Sequence, residues 1–583
     1  MMKAIKMNNR NNRGFLKTNS FILMKNSKSF LLIIMMLMAA LAMQAQNQEV
    51  TIIAPYQPSI SDAVKINSQP VMPDTTISLP PMNYSITSHA ATTDFAITPI
   101  KPALIDIDVP HTMHRNYLRA GFGNYTTPYF ELFTNSLSSK KYAIGFHARH
   151  LSSAGDIDDY GTSGFSHNNV DLYASRYLSK YVINGKLNYQ RDVANYYGYK
   201  PADDTLYPLT DNDLRQRYSM IGGEFSLGTI AQRSSKENFN AGLHFYNLNN
   251  LNETSEFNIG TKANLNSQTQ FLDFVQNQEL GADLSLDYYH NADSLNSGGA
   301  LALSLTPYIR LHMGYLQLRI GVTGALAADS ASKFHVYPDL RADYQIIPDH
   351  LTFYAAVSGG LHRNSFKEII NENPWADPLF PLGFTSTAYD IRGGVTGKID
   401  QFFNYNFSVS YASIDNMLYY NNDYLSALSP DVPTNFGNKF TGIYDDTQVT
   451  SVSLEMGYTQ SSIFDILLRG AYHDYKPATQ AKAWHKPALE VSLLAHYNLF
   501  EKLTLRGEVF YNSQTYVQVL QNGVRTIDHN NAYVDVNLGA EYRFTKNIAA
   551  FAQFNNLTST RYYRYYQYPS QRINMMGGFT FSF

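Results

Sequence analysis

The stretch Val534-Asp535-Val536-Asn537-Leu538-Gly539-Ala540-Glu541-Tyr542-Arg543-Phe544 alternates apolar with polar or small residues. Side chains alternate faces along an extended chain. Val534, Val536, Leu538, Ala540, Tyr542 and Phe544 therefore share one side, opposite Asp535, Asn537, Glu541 and Arg543. The C-terminal run 575–583 repeats the pattern, with Phe579, Phe581 and Phe583 opposing Thr580 and Ser582. Three more stretches do the same: 142–150, 489–498 and 503–512. In 142–150, Tyr142, Ile144, Phe146 and Ala148 oppose His147 and Arg149. Apolar residues on one face, polar residues on the other and Tyr or Phe at a strand end form the lipid-facing pattern of a transmembrane β-barrel.

The breaks between strands point the same way. Short polar breaks fall near Ser138-Ser139, Ser179-Lys180, Ser234-Ser235, Met313-Gly314, Pro348-Asp349, Asp400, Ser461-Ser462, Phe500-Glu501 and Lys546-Asn547, with a weaker one near 266–276. Between them lie longer connections at 152–167, 197–213, 364–386, 422–438, 477–485 and 520–531. Tight periplasmic turns alternating with longer extracellular loops mark outer-membrane barrels, and ten tight turns join eleven hairpins into about 22 strands. An even number puts both barrel ends on the periplasmic side. Tandem β-sandwiches or a β-helix are the soluble alternatives. Sandwich strands average about five to six residues, whereas many runs here are about twice that.

Composition agrees with an all-β transmembrane antiparallel barrel. Charged residues make up 16% of the 583, against about 25% in soluble proteins. Aromatics reach 14%, with 44 tyrosines, and the mean hydropathy is negative, unlike a helical membrane bundle. The net charge of -3 offers no basic surface for nucleic acid. The chain has no cysteine. This fits an oxidising compartment and excludes a disulfide framework, a Cys-based metal site and lipoprotein acylation.

One strongly apolar run, Phe30 to Ala42, follows Met24-Lys25-Asn26-Ser27-Lys28. It is shorter than the roughly 20 residues a spanning helix needs. A basic start, a short apolar core and small residues describe a secretory signal peptide, cut after Ala42 or Ala45. We assign 1–45 to the signal, with Met24 as the expected start. Residues 46–114 form a Pro-rich extended segment and 115–583 the barrel.

The tail Phe554-Asn555-Asn556-Leu557-Thr558, Tyr562-Tyr563-Arg564, Tyr568-Pro569 and Gly577-Gly578-Phe579-Thr580-Phe581-Ser582-Phe583 resembles the end of TonB-dependent receptors. Those barrels commonly close with an N-N-L segment, a Tyr-rich hairpin and a terminal aromatic residue. The resemblance covers roughly 115–583 and implies a 22-stranded barrel in the cell outer membrane. It also implies that Phe579, Phe581 and Phe583 are read by the barrel-assembly machinery. The N-terminus departs from the family, which carries a folded plug ahead of the barrel. Here Pro55, Pro58, Pro70, Pro73, Pro80, Pro81, Pro99, Pro102 and Pro110 favour extended chain, and a complete plug is not expected. Glu49-Val50-Thr51-Ile52-Ile53-Ala54 resembles the TonB box, which pairs as an added strand with the energy-transducing partner. The same string also reads as a plain extended strand.

No metalloprotease, nucleophile-elbow, P-loop or dinucleotide-binding motif is present. His147, His150 and His167 lack a ligand spacing and read as lumen-facing polar residues. Neither an enzyme nor a cofactor is expected. The candidate ligand contacts lie in loops. Arg561-Tyr562-Tyr563-Arg564-Tyr565-Tyr566-Gln567-Tyr568 is a dense aromatic-basic hairpin. Aromatic faces stack on sugars or planar ligands and Arg adds anion contacts. The plainer reading is an interfacial girdle continued into a loop. Trp375 sits in the long connection 364–386, either a binding element or a structured rim. The leading expectation is uptake of a small solute, with 46–114 as a minimal plug. The alternatives are an accessory scaffold barrel closed by a separate plug or lipoprotein partner, or a passive porin-like channel. Expected partners are outer-membrane lipid, the barrel-assembly machinery and TonB.

Overall fold

A computed structural model describes the chain from His114 to Phe583, except residues 137–138, 140, 201–213, 231–236, 276, 424–436, 461–462 and 522–523. The signal segment and the Glu49–Ala54 string lie outside the described residues. The alternating stretches are strands, at Tyr142–Ser153, Leu489–Leu499, Leu503–Asn512, Tyr533–Arg543 and Asn574–Ser582. They belong to one 22-stranded sheet, in which each strand pairs antiparallel with its neighbours. Two small hairpins stand apart from the sheet: Thr515–Gln521 with Val524–Asn530, and Tyr563–Tyr565 with Tyr568–Pro569.

The sheet closes on itself. The first strand, Asn116–Gly123, pairs with the last, setting Tyr117 opposite Ser582, Ala120 opposite Phe579 and Gly123 opposite Met576. Closure leaves no unpaired edge, the condition for a sheet to stand in hydrocarbon. The outer face is the apolar one. Val534, Leu538, Tyr542, Phe544, Phe579, Phe581 and Phe583 are exposed, while Thr580 is buried inside. The polar face lines the interior. His147 lies 3.2 Å from both Glu131 and Asp171. Arg319 reaches Asp283 at 2.8 Å and Asp339 at 2.7 Å, and its guanidinium rests 3.6 Å from the Tyr308 ring centre. A guanidinium holding two carboxylates in this way ties three wall strands together. This is an outer-membrane β-barrel, and no helix among the described residues is long and apolar enough to cross a membrane.

Ten connections, all short, lie at one end together with both barrel termini. They fall where the polar breaks predict. The turn after Leu499 shows the local chemistry. Lys502 N donates to Leu499 O at 3.0 Å across Phe500 and Glu501, both at positive φ, as the mirror-image hairpin turn requires. The opposite end holds the long connections, but not uniformly. Residues 124–126, 250–254, 293–296 and 329–331 are tight turns. The expected alternation of short and long therefore holds fully at the periplasmic end and in part at the outer end. The fifteenth and sixteenth strands, Phe403–Asn422 and Phe440–Gln460, span 20 and 21 residues. Crossing the bilayer takes about 9–11, so their outer halves rise above it.

Candidate functional site

The outer mouth is occupied by the barrel's own loops. The connection 365–382 is the hub, and its sequence dictates a short helix. Ser365-Phe366-Lys367-Glu368 is a capping box. The Ser365 hydroxyl accepts from Glu368 N and the Glu368 carboxylate from Ser365 N, starting helix α1, Phe366–Glu372. Two further amides at its start, those of Phe366 and Lys367, donate to Glu256 at 2.8 and 3.1 Å. Glu256 is fully buried on the wall strand Ser255–Gln268. Tyr246 and Asn291 also donate to its carboxylate, at 2.8 and 2.7 Å. A buried carboxylate needs such donors to offset its lost hydration, and here they fix the helix to the wall.

Beyond α1 the chain enters an apolar core built from several loops. Ile369, Ala376 and Phe380 pack with Ile157, Tyr197, Tyr420, Phe440, Tyr565 and Tyr568, all buried. Trp375 stacks on Tyr568 with ring centres 4.0 Å apart. Fully burying an apolar side chain such as Phe440 stabilises by roughly 1.5–3 kcal/mol. Hydrogen bonds stitch the layer together. Tyr197 donates to Pro569 O at 3.0 Å, Tyr196 to Ala376 O at 3.1 Å and Tyr565 to Glu372 O at 3.0 Å. The Tyr568 hydroxyl donates to Asn438 O. Ile157 follows the third strand, whereas Tyr420 ends the fifteenth. In a closed circle of 22 strands those positions are almost diametrically opposed. The core therefore reaches across the mouth as a cap.

His485 is held inside this cap in one protonation state. Its Nδ1 lies 2.9 Å from Tyr420 O, to which it donates, and its Nε2 accepts from Tyr566 N at 3.4 Å. Burial pushes its pKa down to about 4, the Tyr420 carbonyl opposes this, and the Lys486 charge adds to it. An imidazolium would turn Nε2 into a donor facing a donor. Asp377 shows the opposite sign: burial raises its pKa, against the pull of Lys439 at 3.7 Å.

Beneath the cap lie two cavities in the lumen, and α1 contributes to both. The first, about 800 Å³, is lined by Tyr533, Tyr563, Arg564, Tyr565, Lys486 and Glu372 among others. Lys486 pairs with Glu372 at 3.1 Å. Arg564 has no carboxylate partner among the described residues. The second cavity, about 720 Å³, lies against wall residues from Tyr173 to Ser304 and includes Arg363 and Lys367.

No family model and no curated protein matches this sequence. Solved structures do match. The pyoverdine outer membrane receptor FpvA from Pseudomonas aeruginosa PAO1, bound to pyoverdine, aligns at TM-score 0.60 and 13% identity, over 81% of this chain and 79% of that one. The ferric-catecholate import receptor Fiu from Escherichia coli K12 aligns at 0.56 and 10%, over 81% and 82%. A variant of the ferric enterobactin receptor PfeA from P. aeruginosa aligns at 0.58 and 12%, over 80% and 81%. The fold is that of a TonB-dependent receptor barrel. In that barrel Phe579, Phe581 and Phe583 form the outer face of the closing strand, with Phe581 and Phe583 stacked at 4.9 Å.

The Tyr-rich segment of this barrel does not continue the lipid girdle. It folds inward and divides. Tyr565 and Tyr568 are cap core. Tyr563 and Arg564 face the first cavity. Tyr562 stacks on Tyr533 at 4.1 Å and donates to Asp535 at 2.8 Å. Tyr566 meets His485 through its amide. Trp375 and Tyr565 come within 5.9 Å of one another, so the two loops singled out from the sequence meet. Glu256, His485, Tyr420 and Phe440 were not legible as site residues. In the sequence the hub is marked by its length, by Trp375 and by the Ser365-x-x-Glu368 capping signature.

Proposed function

We propose that this barrel takes up a small solute across the outer membrane, with the loop cap as its outer gate. The solute is held on the underside of the cap, in the cavity lined by Tyr563, Arg564 and Tyr533. The observation that carries this reading is that cavity. It sets aromatic faces beside a guanidinium lacking a described carboxylate partner, against a loop core that reaches across the mouth. Aromatic faces and a free guanidinium suit a sugar-ring or planar solute bearing negative charge. The solved receptors of this fold support uptake as the class of activity, since their names describe import of ferric-catecholate and binding of pyoverdine. Not being an enzyme is part of the same reading.

Energised transport would use Glu49–Ala54 as the segment that pairs with TonB, and residues 46–114 as a minimal plug. Growth-linked uptake tests the whole reading. Tyr563→Ala with Arg564→Gln should cut uptake at least tenfold while barrel levels in the outer membrane stay unchanged. Removing 46–54 should abolish both uptake and binding of the TonB periplasmic domain. Full uptake in the double variant would refute the cavity assignment. TonB binding that survives the 46–54 deletion would refute the box.

A further inference from the structure

Arg363 is more than nine-tenths buried near the outer end of its strand, Leu351–Asn364. Its guanidinium lies 4.8 Å from the Phe384 ring centre. Its Nε and Nη1 are buried and donate to nothing, and no carboxylate pairs with it among the described residues. A buried guanidinium without a counter-charge is costly, because its hydration is lost and nothing replaces it. A ring face repays only part of that cost. The half-buried Arg319 is treated differently and holds two carboxylates; the other buried arginine, Arg119, also rests on a ring, Phe551, with its Nε unpartnered.

Arg363 lines the second cavity, of about 720 Å³. The other cations there divide into used and unused. Lys186 is paired with Asp171. Lys367 rests its Nζ 4.3 Å from the Tyr246 ring centre, and neither it nor Lys262 has a carboxylate partner among the described residues. The carboxylates are mostly taken. Asp287 is held by His244 at 2.6 Å, and Glu368 by His362 at 3.1 Å. Glu224 is the remaining acid in the lining. The most deeply buried cation of the cavity is thus left without a carboxylate partner.

We propose that this second luminal cavity is an oxyanion subsite, anchored by Arg363 and assisted by Lys367, for a carboxylate or phosphate group on a small solute. The bound oxyanion supplies the counter-charge that the wall withholds. A guanidinium presents donors in a planar fork that suits both groups. The subsite is separate from the Tyr563–Arg564 cavity, and its binding does not depend on that cavity or on energised transport.

The test is calorimetric titration of the purified full-length chain in detergent with citrate and, separately, inorganic phosphate, at ionic strength held constant with sodium chloride. Thermal melting is recorded alongside. The wild-type chain should bind at least one of the two, and which one it prefers identifies the group. Arg363→Gln should weaken binding at least tenfold and melt no lower than wild type in chloride alone, because it removes an unpaired buried charge. Lys367→Gln should weaken binding several-fold and decides the matter if Arg363→Gln fails to fold. Absence of citrate and phosphate binding in the wild type would overturn the proposal. So would unchanged affinity in Arg363→Gln, or unchanged affinity in Lys367→Gln where the first variant does not fold.

Discussion

His485 carries the clearest consequence at the scale of one residue. Its two ring nitrogens are engaged in opposite senses, one donating to Tyr420 O and one accepting from Tyr566 N. Only the neutral ring satisfies both. With a folded pKa of about 4 against an ordinary value of 6.5, the unfolded loop binds the proton more readily than the cap does. The stabilisation is therefore complete above about 6.5 and lost as pH falls toward about 4, amounting to roughly 3 kcal/mol. Hydrogen exchange of the 484–486 and 565–568 amides, corrected for intrinsic rates, should show protection falling through that window. In His485→Gln the fall should vanish; an equal fall there would show that another group is responsible. Nothing around His485 in the sequence announces this. Its partners are a backbone carbonyl 65 positions away and an amide 81 positions away, and neither leaves a mark on residue identity. Glu256 is hidden for the same reason, since the amides it caps carry no side-chain signature.

At the scale of elements, the strands were legible because a barrel wall is a solvent boundary on both faces. Each wall residue answers to lipid or to water, so period two persists along Tyr533–Arg543 and Asn574–Ser582. Leu538, half exposed in the middle of Tyr533–Arg543, meets lipid. Leu538→Arg should destabilise the barrel by about 2–4 kcal/mol near the bilayer midplane, measured by reversible folding into vesicles. A change near zero would place this strand outside the hydrocarbon. The loops were less legible. Tyr562 to Tyr568 has one composition but four environments: an aromatic stack, a cavity lining, an apolar core and a backbone contact to His485. Which tyrosine takes which place is set by partners far apart in the sequence, among them Ile157, Tyr197, Ile369, Phe440, His485 and Tyr533, and no local pattern encodes them. The periplasmic turns were readable because each is closed by its own backbone, as at Leu499–Lys502.

At the scale of the molecule, a 22-stranded wall encloses a lumen too wide for side chains alone to fill. The described residues answer this at one end with loops that meet across the mouth, joined at α1 to the wall through Glu256. Two cavities then remain below the cap, with opposite walls and different chemistry, one aromatic and cationic, the other lined by Arg363 and Lys367. We propose that this cap, made by the chain itself, closes the outer mouth. Asn364 and Gly383 face each other in register, so residues 365–382 can be replaced by a short Gly-Ser turn without disturbing the wall. Single-channel conductance in planar bilayers, measured on chains lacking 46–113, reads this closure. With the cap intact the conductance should stay low; with 365–382 excised it should rise to that of an open 22-stranded pore. A large, steady conductance with the cap intact would contradict the account.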